Sequence, residues 1–233
     1  TVSAAGDVNG DGYDDIVVGD PGFGSSVGRA YLYLGSASGV SSTPSVTLDG
    51  SGSAADNFGN AVSAAGDVNG DGYDDLVIGF WTGASVYLGA ATGTATTADF
   101  TVDFSVWYDT DAAGVGDLNG DGYDDIAIGD WRNAIAYVYF GSATGVTTTG
   151  RAYVRGASGS GFGWSVAAAG DVDGDGYDDL LVGSEDNYAD LYLGTSAGVS
   201  TSAATTFSEG SAEFGTAVAA AGWSAADKGA SKV

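Results

Sequence analysis

The sequence predicts an all-β chain folded as a β-propeller of four-stranded antiparallel blades, and three observations predict it. A nine-residue acidic cassette occurs four times, beginning at Asp7, Asp67, Asp117 and Asp171. The copies lie 60, 50 and 54 residues apart, which is the range of a propeller blade. Short strand-like runs flank each copy, and the composition of 41 Gly with only 2 Pro fits a chain of many strands and turns.

Each repeat holds four strand-like segments. A small-residue run precedes the cassette, and a short aliphatic run ending in glycine follows it, as IVVG, LVIG, IAIG and LLVG. The third segment alternates aromatic and aliphatic residues in YLYLG, SVYLG, YVYFG and DLYLG, which is strand and turn chemistry. A weaker fourth segment lies at Ser45–Leu48, Phe100–Phe104, Ala152–Val154 and Ala204–Phe207. Four short strands per repeat describe one blade.

The acidic charge is concentrated in the cassettes. The formal net charge is −25, and 17 of the 31 acidic residues lie in the four cassettes. Carboxylates crowded so closely repel one another, and a bound divalent cation relieves that repulsion. The same acidity argues against nucleic acid or an anionic membrane surface as a partner.

The cassette has the residue spacing of a calcium loop. Calcium prefers about six to eight oxygen ligands, which alternate side chains and one backbone carbonyl of a tight loop supply. Positions one, three, five and nine would provide side-chain oxygens and position seven its carbonyl, while glycine at position six permits the sharp turn. We therefore expect about four calcium ions per chain. The predicted ligands are Asp7, Asn9, Asp11, Tyr13 and Asp15; Asp67, Asn69, Asp71, Tyr73 and Asp75; Asp117, Asn119, Asp121, Tyr123 and Asp125; and Asp171, Asp173, Asp175, Tyr177 and Asp179.

Other interpretations of the cassette are weaker. An EF-hand needs a bidentate Glu at its twelfth position and a following helix, whereas here that position holds Val18, Ile78, Ile128 or Val182 in a strand-like run. Metal-free acidic turns, closed by Asx hydrogen bonds, are the alternative without an ion. Magnesium fits less well than calcium because it retains water and takes fewer protein oxygens.

The chain resembles FG-GAP repeats, the calcium-binding blades of integrin α-subunit propellers, of many bacterial secreted proteins and of some lectins. The segments that carry the resemblance are FGNAVSAAGD at Phe58, FGWSVAAAGD at Phe162 and FGTAVAAAGW at Phe214. The third repeat departs from it with SVWYDTDAAGVGD from Ser105, and Trp223 stands where a fifth cassette would begin with Asp.

The resemblance implies that the small-residue run is the inner strand of each blade. We expect one propeller domain over 1–222, with blades at about 1–57, 58–104, 105–161 and 162–213, an extra inner strand at 214–222 and a C-terminal tail at 223–233. The extra strand and Thr1–Ala5 would compete for one inner position. The chain is then part of a larger propeller of about six to eight blades, a propeller closed between chains as a homo-oligomer, or a four-bladed ring with one end strand displaced.

The loops between second and third strands would lie opposite the cassettes and form a ligand face. Aromatic residues beside polar groups are typical of sugar and protein binding sites. Packing between blades is the alternative for the tryptophans, above all for Trp107 and Trp164. The candidate ligand contacts are Phe23, Trp81, Trp131, Arg132, Asn187 and Tyr188.

The composition also bounds the function. The chain has no His and no Cys, so it cannot build a Ser-His-Asp or Cys-His centre from its own residues. Its apolar runs are too short for a membrane helix. The sequence predicts a non-catalytic, calcium-stabilised module, secreted or on the cell surface, that binds a protein or a glycan. The alternatives are a structural scaffold within a larger secreted protein or oligomer, and an accessory segment of a secreted hydrolase or lyase.

Overall fold

The protein is described here by a computed structural model, which covers residues 1–50, 56–104, 110–209 and 213–219. These residues form four antiparallel sheets of four strands each, and they contain almost no helix. The predicted all-β fold of four-stranded blades is confirmed.

The blades follow one another along the chain. Blade 1 contains β1 (Val2–Gly6), β2 (Asp15–Asp20), the single helical turn α1 (Phe23–Ser26), β3 (Arg29–Tyr33) and β4 (Val46–Asp49). Blade 2 contains β5 (Ala61–Gly66), β6 (Asp75–Phe80), β7 (Gly83–Tyr87), the short ribbon of β8 (Gly89–Ala90) and β9 (Gly93–Thr94), and β10 (Phe100–Asp103). Blade 3 contains β11 (Ala112–Gly116), β12 (Asp125–Asp130), β13 (Ile135–Tyr139) and β14 (Ala152–Arg155). Blade 4 contains β15 (Ser165–Gly170), β16 (Asp179–Ser184), β17 (Tyr188–Tyr192), the ribbon of β18 (Gly194–Thr195) and β19 (Gly198–Val199), and β20 (Thr205–Ser208).

A glycine bulge ends the first strand of every blade. In blade 1 the register of β1 against β2 shifts between Ala4 and Gly6, and Gly6 pairs with Asp15, the last residue of the cassette. Gly6 has a φ of 72°, a left-handed conformation that glycine adopts without steric cost. The same shift recurs at Gly66, Gly116 and Gly170, so each cassette leaves its sheet with the same geometry.

The hydrophobic core lies between blades. Leu76 and Ile78 of β6 pack into the core shared with blade 1, whereas Val77 points to the opposite side and packs into the core shared with blade 3. A third core joins blades 3 and 4 and includes Val138 and Leu180. Both faces of the middle sheets are therefore buried, which explains why the second strand of each repeat is aliphatic without alternation.

Neighbouring cassettes are joined by a pair of hydrogen bonds, which we call the clasp. The carboxylate of Asp74, at position eight of the second cassette, accepts a hydrogen bond from the backbone N–H of Asp7 at 2.8 Å. The N–H of Asp74 in turn donates to the carbonyl of Asp7 at 3.2 Å. The clasp recurs between Asp124 and Asp67, at 3.0 and 3.1 Å, and between Asp178 and Asp117, at 2.9 and 3.1 Å.

Two further contacts accompany each clasp. The ring of Tyr73, at position seven, lies over Gly10 of the preceding cassette, so close that a side chain at Gly10 would collide with it. The N–H of Ala90 donates to the carbonyl of Val8 at 3.0 Å. Tyr123 and Tyr177 cover Gly70 and Gly120, and Ser142 and Thr195 donate to Val68 and Leu118.

The segment after blade 4 differs from the extra inner strand expected at 214–222. Residues 213–219 form turns and bends, and they pair with no strand of the described residues. A strand at this place would pair with the second strand of its own blade, and the described residues contain no such partner. Residues 220–222, the tail from 223 to 233 and Trp107 lie outside the described residues.

We expect Asp124→Ala to destabilise the fold by about 1–3 kcal/mol, because it leaves the N–H of Asp67 without its acceptor at a buried junction. In a chain of this size each kcal/mol lowers the melting temperature by roughly 2–4 °C in calorimetry. Asp14→Ala is the matched control, since Asp14 holds the same cassette position but is exposed. Equal losses for the two variants would contradict a stabilising role for the clasp.

Candidate metal centres

The four cassettes lie at the same end of their blades. Each connects the first strand to the second, and the clasps bring each one against the next. Because all pairings within the blades are antiparallel, the connections between second and third strands lie at the opposite end. This end is called the loop face below.

The first aspartate of each cassette closes its loop. In the second cassette Asp67 Oδ1 accepts the N–H groups of Gly70 and Asp71 at 2.7 and 3.0 Å, and Oδ2 accepts the N–H of Gly72 at 2.9 Å. Asp117 and Asp171 make the same three bonds. The carboxylate therefore fixes the backbone of the loop while leaving lone pairs for a cation.

Positions three and five lie together at the exposed side of the loop. Asn69 Oδ1 accepts the N–H of Asp71 at 2.9 Å, and Asp71 Oδ1 accepts the N–H of Tyr73 at 3.1 Å. Both oxygens are polarised by N–H groups and turned back over the loop, as an Asx turn requires. The side chains of Asn69 and Asp71 also share a hydrogen bond of 2.9 Å, from Nδ2 to Oδ2.

The aspartate at position nine of each cassette also connects the loop to the sheet. Asp75 is completely buried, and its two oxygens accept the N–H of Val68 at 2.9 Å and of Gly89 at 2.7 Å. It thereby ties its own loop to the end of β7. Asp15, Asp125 and Asp179 are buried and bonded in the same way, to glycines 35, 141 and 194 after the third strand.

The carboxylates of the fourth cassette converge on one point. Single oxygens of Asp171, Asp173 and Asp179 all lie within 4.8 Å of one another. Calcium binds oxygen at about 2.3–2.6 Å, so two ligands on opposite sides of one ion are separated by about this distance. The residues present therefore fit a calcium ion. In the other three cassettes an asparagine stands at the position of Asp173, so the metal ligand is still an oxygen but the site has one negative charge less.

The sequence interpretation missed the residues that join the cassettes. It used the carbonyl of the tyrosine and gave no role to the aspartate at position eight, yet the structure uses the tyrosine ring and that aspartate against the preceding blade. Their recurrence in all four cassettes was the available signal. A calcium loop requires neither residue, so their repetition indicated another constraint.

On the loop face, the structure brings two of the predicted ligand residues together with two others. The rings of Trp131 and Trp164 lie 5.1 Å apart, and the guanidinium of Arg132 lies 4.9 Å from the centre of the Trp131 ring. Trp131 and Arg132 line an open groove of about 370 Å³ with Gly159, Gly161 and Glu185. Trp131 is half-buried. Part of its side chain is packed, as expected for a large aromatic residue, and part of it stays accessible.

The other predicted ligand residues lie apart from this groove or make local contacts. Phe23 is covered by the guanidinium of Arg29 at 3.8 Å, and Trp81 follows β6 at the junction of blades 1 and 2. Asn187 accepts the N–H of Glu213 at 2.7 Å, and the hydroxyl of Tyr188 donates to Ser160 at 3.0 Å. The predicted ligand face is therefore not one continuous site.

Comparison with protein families gives repeat matches along most of the chain. An FG-GAP-like repeat matches residues 7–78, 67–128 and 117–182, and an FG-GAP repeat matches residues 162–207. The described part of the chain contains no helix of the length and hydropathy that a membrane span requires.

Similar curated proteins include integrin α subunits. The chain is 38% identical to integrin alpha-PS3 of Drosophila melanogaster over 92 residues, which are 37% of this chain and 8% of that subunit. It is 36% identical to integrin alpha-IIb of Mus musculus over 86 residues, 36% of this chain and 8% of the subunit. It is 39% identical to integrin alpha-7 of Rattus norvegicus over 79 residues, 34% of this chain and 7% of the subunit. The chain thus spans less than a tenth of these relatives.

Among solved structures, the crystal structure of BBS1N in complex with ARL6DN is similar in fold. The match has a TM-score of 0.53 and 10% sequence identity, and it covers 91% of this chain and 57% of that chain.

The metal-free protein should lose stability as the pH rises from about 4 to 8. Burial raises the pKa of Asp75 to about 7 and that of Asp125 to about 8, whereas an unfolded Asp titrates near 3.9. The folded chain therefore holds protons that the unfolded chain releases, and this stabilisation is lost as the pH passes the folded pKa values. Thermal melts in a chelator across this range measure the effect.

The test variant is Asp75→Asn, which removes one buried titrating group. The matched control is Asp20→Asn, because Asp20 is an exposed aspartate at the other end of β2 in blade 1. Only Asp75→Asn should flatten the pH dependence. If the melting temperature of the metal-free protein rose between pH 5 and 8, this would contradict the raised pKa values of Asp75 and Asp125.

Proposed function

Because the chain belongs to the FG-GAP repeat family, we propose that it is a non-catalytic, calcium-stabilised extracellular β-propeller module that binds a protein or glycan ligand. The observation that carries the proposal is the fourfold cassette, whose oxygens are held by the same hydrogen bonds at one end of each blade. The loop face at the other end is thereby left for a ligand.

Calcium binding is supported by charge as well as by geometry. Four divalent ions would cancel eight of the 25 net negative charges, and they would do so where the carboxylates are most crowded. The three oxygens of the fourth cassette lie at a spacing that one calcium ion spans. We assign about one ion to each cassette.

The groove at blades 3 and 4 is the proposed ligand site. Trp131 supplies flat apolar surface, backed by the ring of Trp164, and Arg132 and Glu185 supply charges of both signs beside it. A ligand that combines an apolar face with polar groups, such as a sugar ring or a protein loop, fits this mixture. The similarity to integrin α subunits supports a role in adhesion and a location outside the cell.

A non-catalytic role is supported by the composition. Without His and Cys the chain lacks the common bases and nucleophiles, and its aspartates are concentrated in the cassettes. The acidic charge also argues against a nucleic acid as the partner.

Calcium should raise the thermal stability of the protein, because an ion bound only by the folded state stabilises it by about 2.7 kcal/mol per site at a hundredfold excess over its Kd. Calorimetry with calcium, with magnesium and with a chelator measures this. Asp71→Ala should lower the bound calcium by about one ion per chain, whereas Asp20→Ala should leave the count unchanged. A melting temperature that is the same with calcium and with chelator would refute the proposed role of the ion.

Ligand binding should depend on Trp131. A glycan array and an extracellular-matrix protein array, probed in calcium, should give signals that Trp131→Ala lowers about tenfold or more, since central aromatic contacts are worth 2 kcal/mol or more. Trp81→Ala is the control, because Trp81 is not among the residues that line the groove. Wild-type protein that is folded and calcium-loaded yet binds nothing on either array would favour the scaffold alternative.

A further inference from the structure

The outer strand of blade 3 differs from the outer strands of the other blades at three alternate positions. Arg151, Tyr153 and Arg155 stand there, and we call these three residues the arginine strip. The registers between third and fourth strands align them with small, hydroxyl or acidic residues in the other blades. The aligned residues are Ser45, Thr47 and Asp49 in blade 1; Asp99, Thr101 and Asp103 in blade 2; and Ala204, Thr206 and Ser208 in blade 4.

The strip borders a continuous aromatic surface between blades 2 and 3. Tyr153 pairs with Tyr137 of β13, and their rings lie 6.4 Å apart. Tyr137 in turn stacks on Phe104, which follows β10 of blade 2, at 5.1 Å. Tyr137 and Phe104 are half-buried, whereas Tyr153 is 53% exposed. The surface therefore opens to solvent at Tyr153.

The two arginines lie beside these rings with their charges unpaired. The guanidinium of Arg155 lies 5.6 Å from the centre of the Tyr153 ring, and that of Arg151 lies 5.6 Å from the centre of the Tyr137 ring. Both side chains are exposed, and neither makes an ion pair with a carboxylate of the described residues. A guanidinium that packs on a ring still presents N–H donors at its edge. Both arginines can therefore bind an anion.

The sign of the charge is unusual for this chain. The chain has 31 acidic and only six basic residues, and two of the six stand in the strip. Charged side chains on an outer strand prevent pairing with other sheets, but blades 1 and 2 have Asp49 and Asp103 at the position of Arg155. Protection of the edge therefore explains a charge but not a positive one. Charge complementarity favours an anionic partner.

We infer that the arginine strip is a second binding site, for an acidic oligosaccharide. A sugar ring stacks on Tyr153, and carboxylate or sulfate groups accept hydrogen bonds from Arg151 and Arg155. Four residues of a strand span about 13 Å, so the two arginines suit charges on separate units of an extended chain. The strip lies between blades 2 and 3, and the inference does not depend on the groove at blades 3 and 4.

The side chains select a saccharide over other polyanions. An acidic peptide would add to a sheet edge through its backbone, and β4, β10, β14 and β20 are all the last strands of their sheets. Such a peptide has no need of the side chains that distinguish blade 3. A nucleic acid carries a phosphate on every nucleotide, so a chain with a net charge of −25 repels it more strongly than a sparsely charged sugar.

The test is calorimetric titration of the calcium-loaded protein with short oligomers of a uronic acid, of a sulfated sugar and of a neutral glucan. An acidic oligomer should bind, the neutral glucan should not, and added salt should weaken the binding. A preference for the uronate or for the sulfated sugar identifies the anion, and either preference supports the inference.

The test variants take the residues that other blades carry at the same positions, so the fold accommodates them. Arg151→Ser and Arg155→Ser should each weaken binding about threefold or more, and together about tenfold. Tyr153→Thr should weaken it about threefold or more through the lost stacking. Arg29→Ser is the matched control, because it removes one positive charge from blade 1, outside the strip. Thermal melts of all variants check that they fold.

Several outcomes would overturn the inference. One is a folded wild-type protein that binds neither acidic oligomer, and another is equal binding of the neutral glucan. A loss with Arg29→Ser as large as that with Arg155→Ser would reduce the effect to net charge. Tighter binding of oligoglutamate or of single-stranded DNA in the same titration would assign the strip to a peptide or a nucleic acid instead.

Discussion

The bond between a cassette carboxylate and a backbone N–H group is the interaction on which the rest of the structure depends. Within a loop, Asp67 gathers three N–H groups and sets the turn. Between the loop and the sheet, Asp75 bonds to Val68 and Gly89. Between blades, Asp124 bonds to Asp67. One residue type at three positions thus fixes three levels of organisation, each through a charge-assisted bond stronger than a neutral one.

These bonds also explain how so acidic a chain folds at all. A buried carboxylate costs free energy unless hydrogen bonds compensate it, and the completely buried Asp75 and Asp125 each accept two. Their raised pKa values show that the compensation is partial. A bound cation would complete it, which connects the metal centre to the stability of the core rather than to the loop alone.

The periodic part of the structure could be predicted from the sequence, and the contacts between repeats could not. The runs IVVG and YLYLG predict strands because spacing and side-chain type are local properties, and the fourth segments lie within a residue of β4, β10, β14 and β20. The role of Asp74 depends on the position of Asp7, 67 residues earlier, and no local pattern encodes that distance. The groove was predicted in part: Trp131 and Arg132 are neighbours in sequence, whereas Glu185 reaches them only through the packing of blade 4 on blade 3.

The two ends of the blades follow different rules. At the cassette end, every junction uses backbone atoms and the same few side chains, so the geometry is independent of the rest of each repeat. At the loop face, the second-to-third connections range from the two residues between β6 and β7 to the eight between β2 and β3. These connections lie at the opposite end from the clasps, so a change in their length leaves the cassette contacts in place. The fold therefore separates a part that must stay constant from a part that is free to diversify, and a new specificity can evolve in the loops without a new architecture.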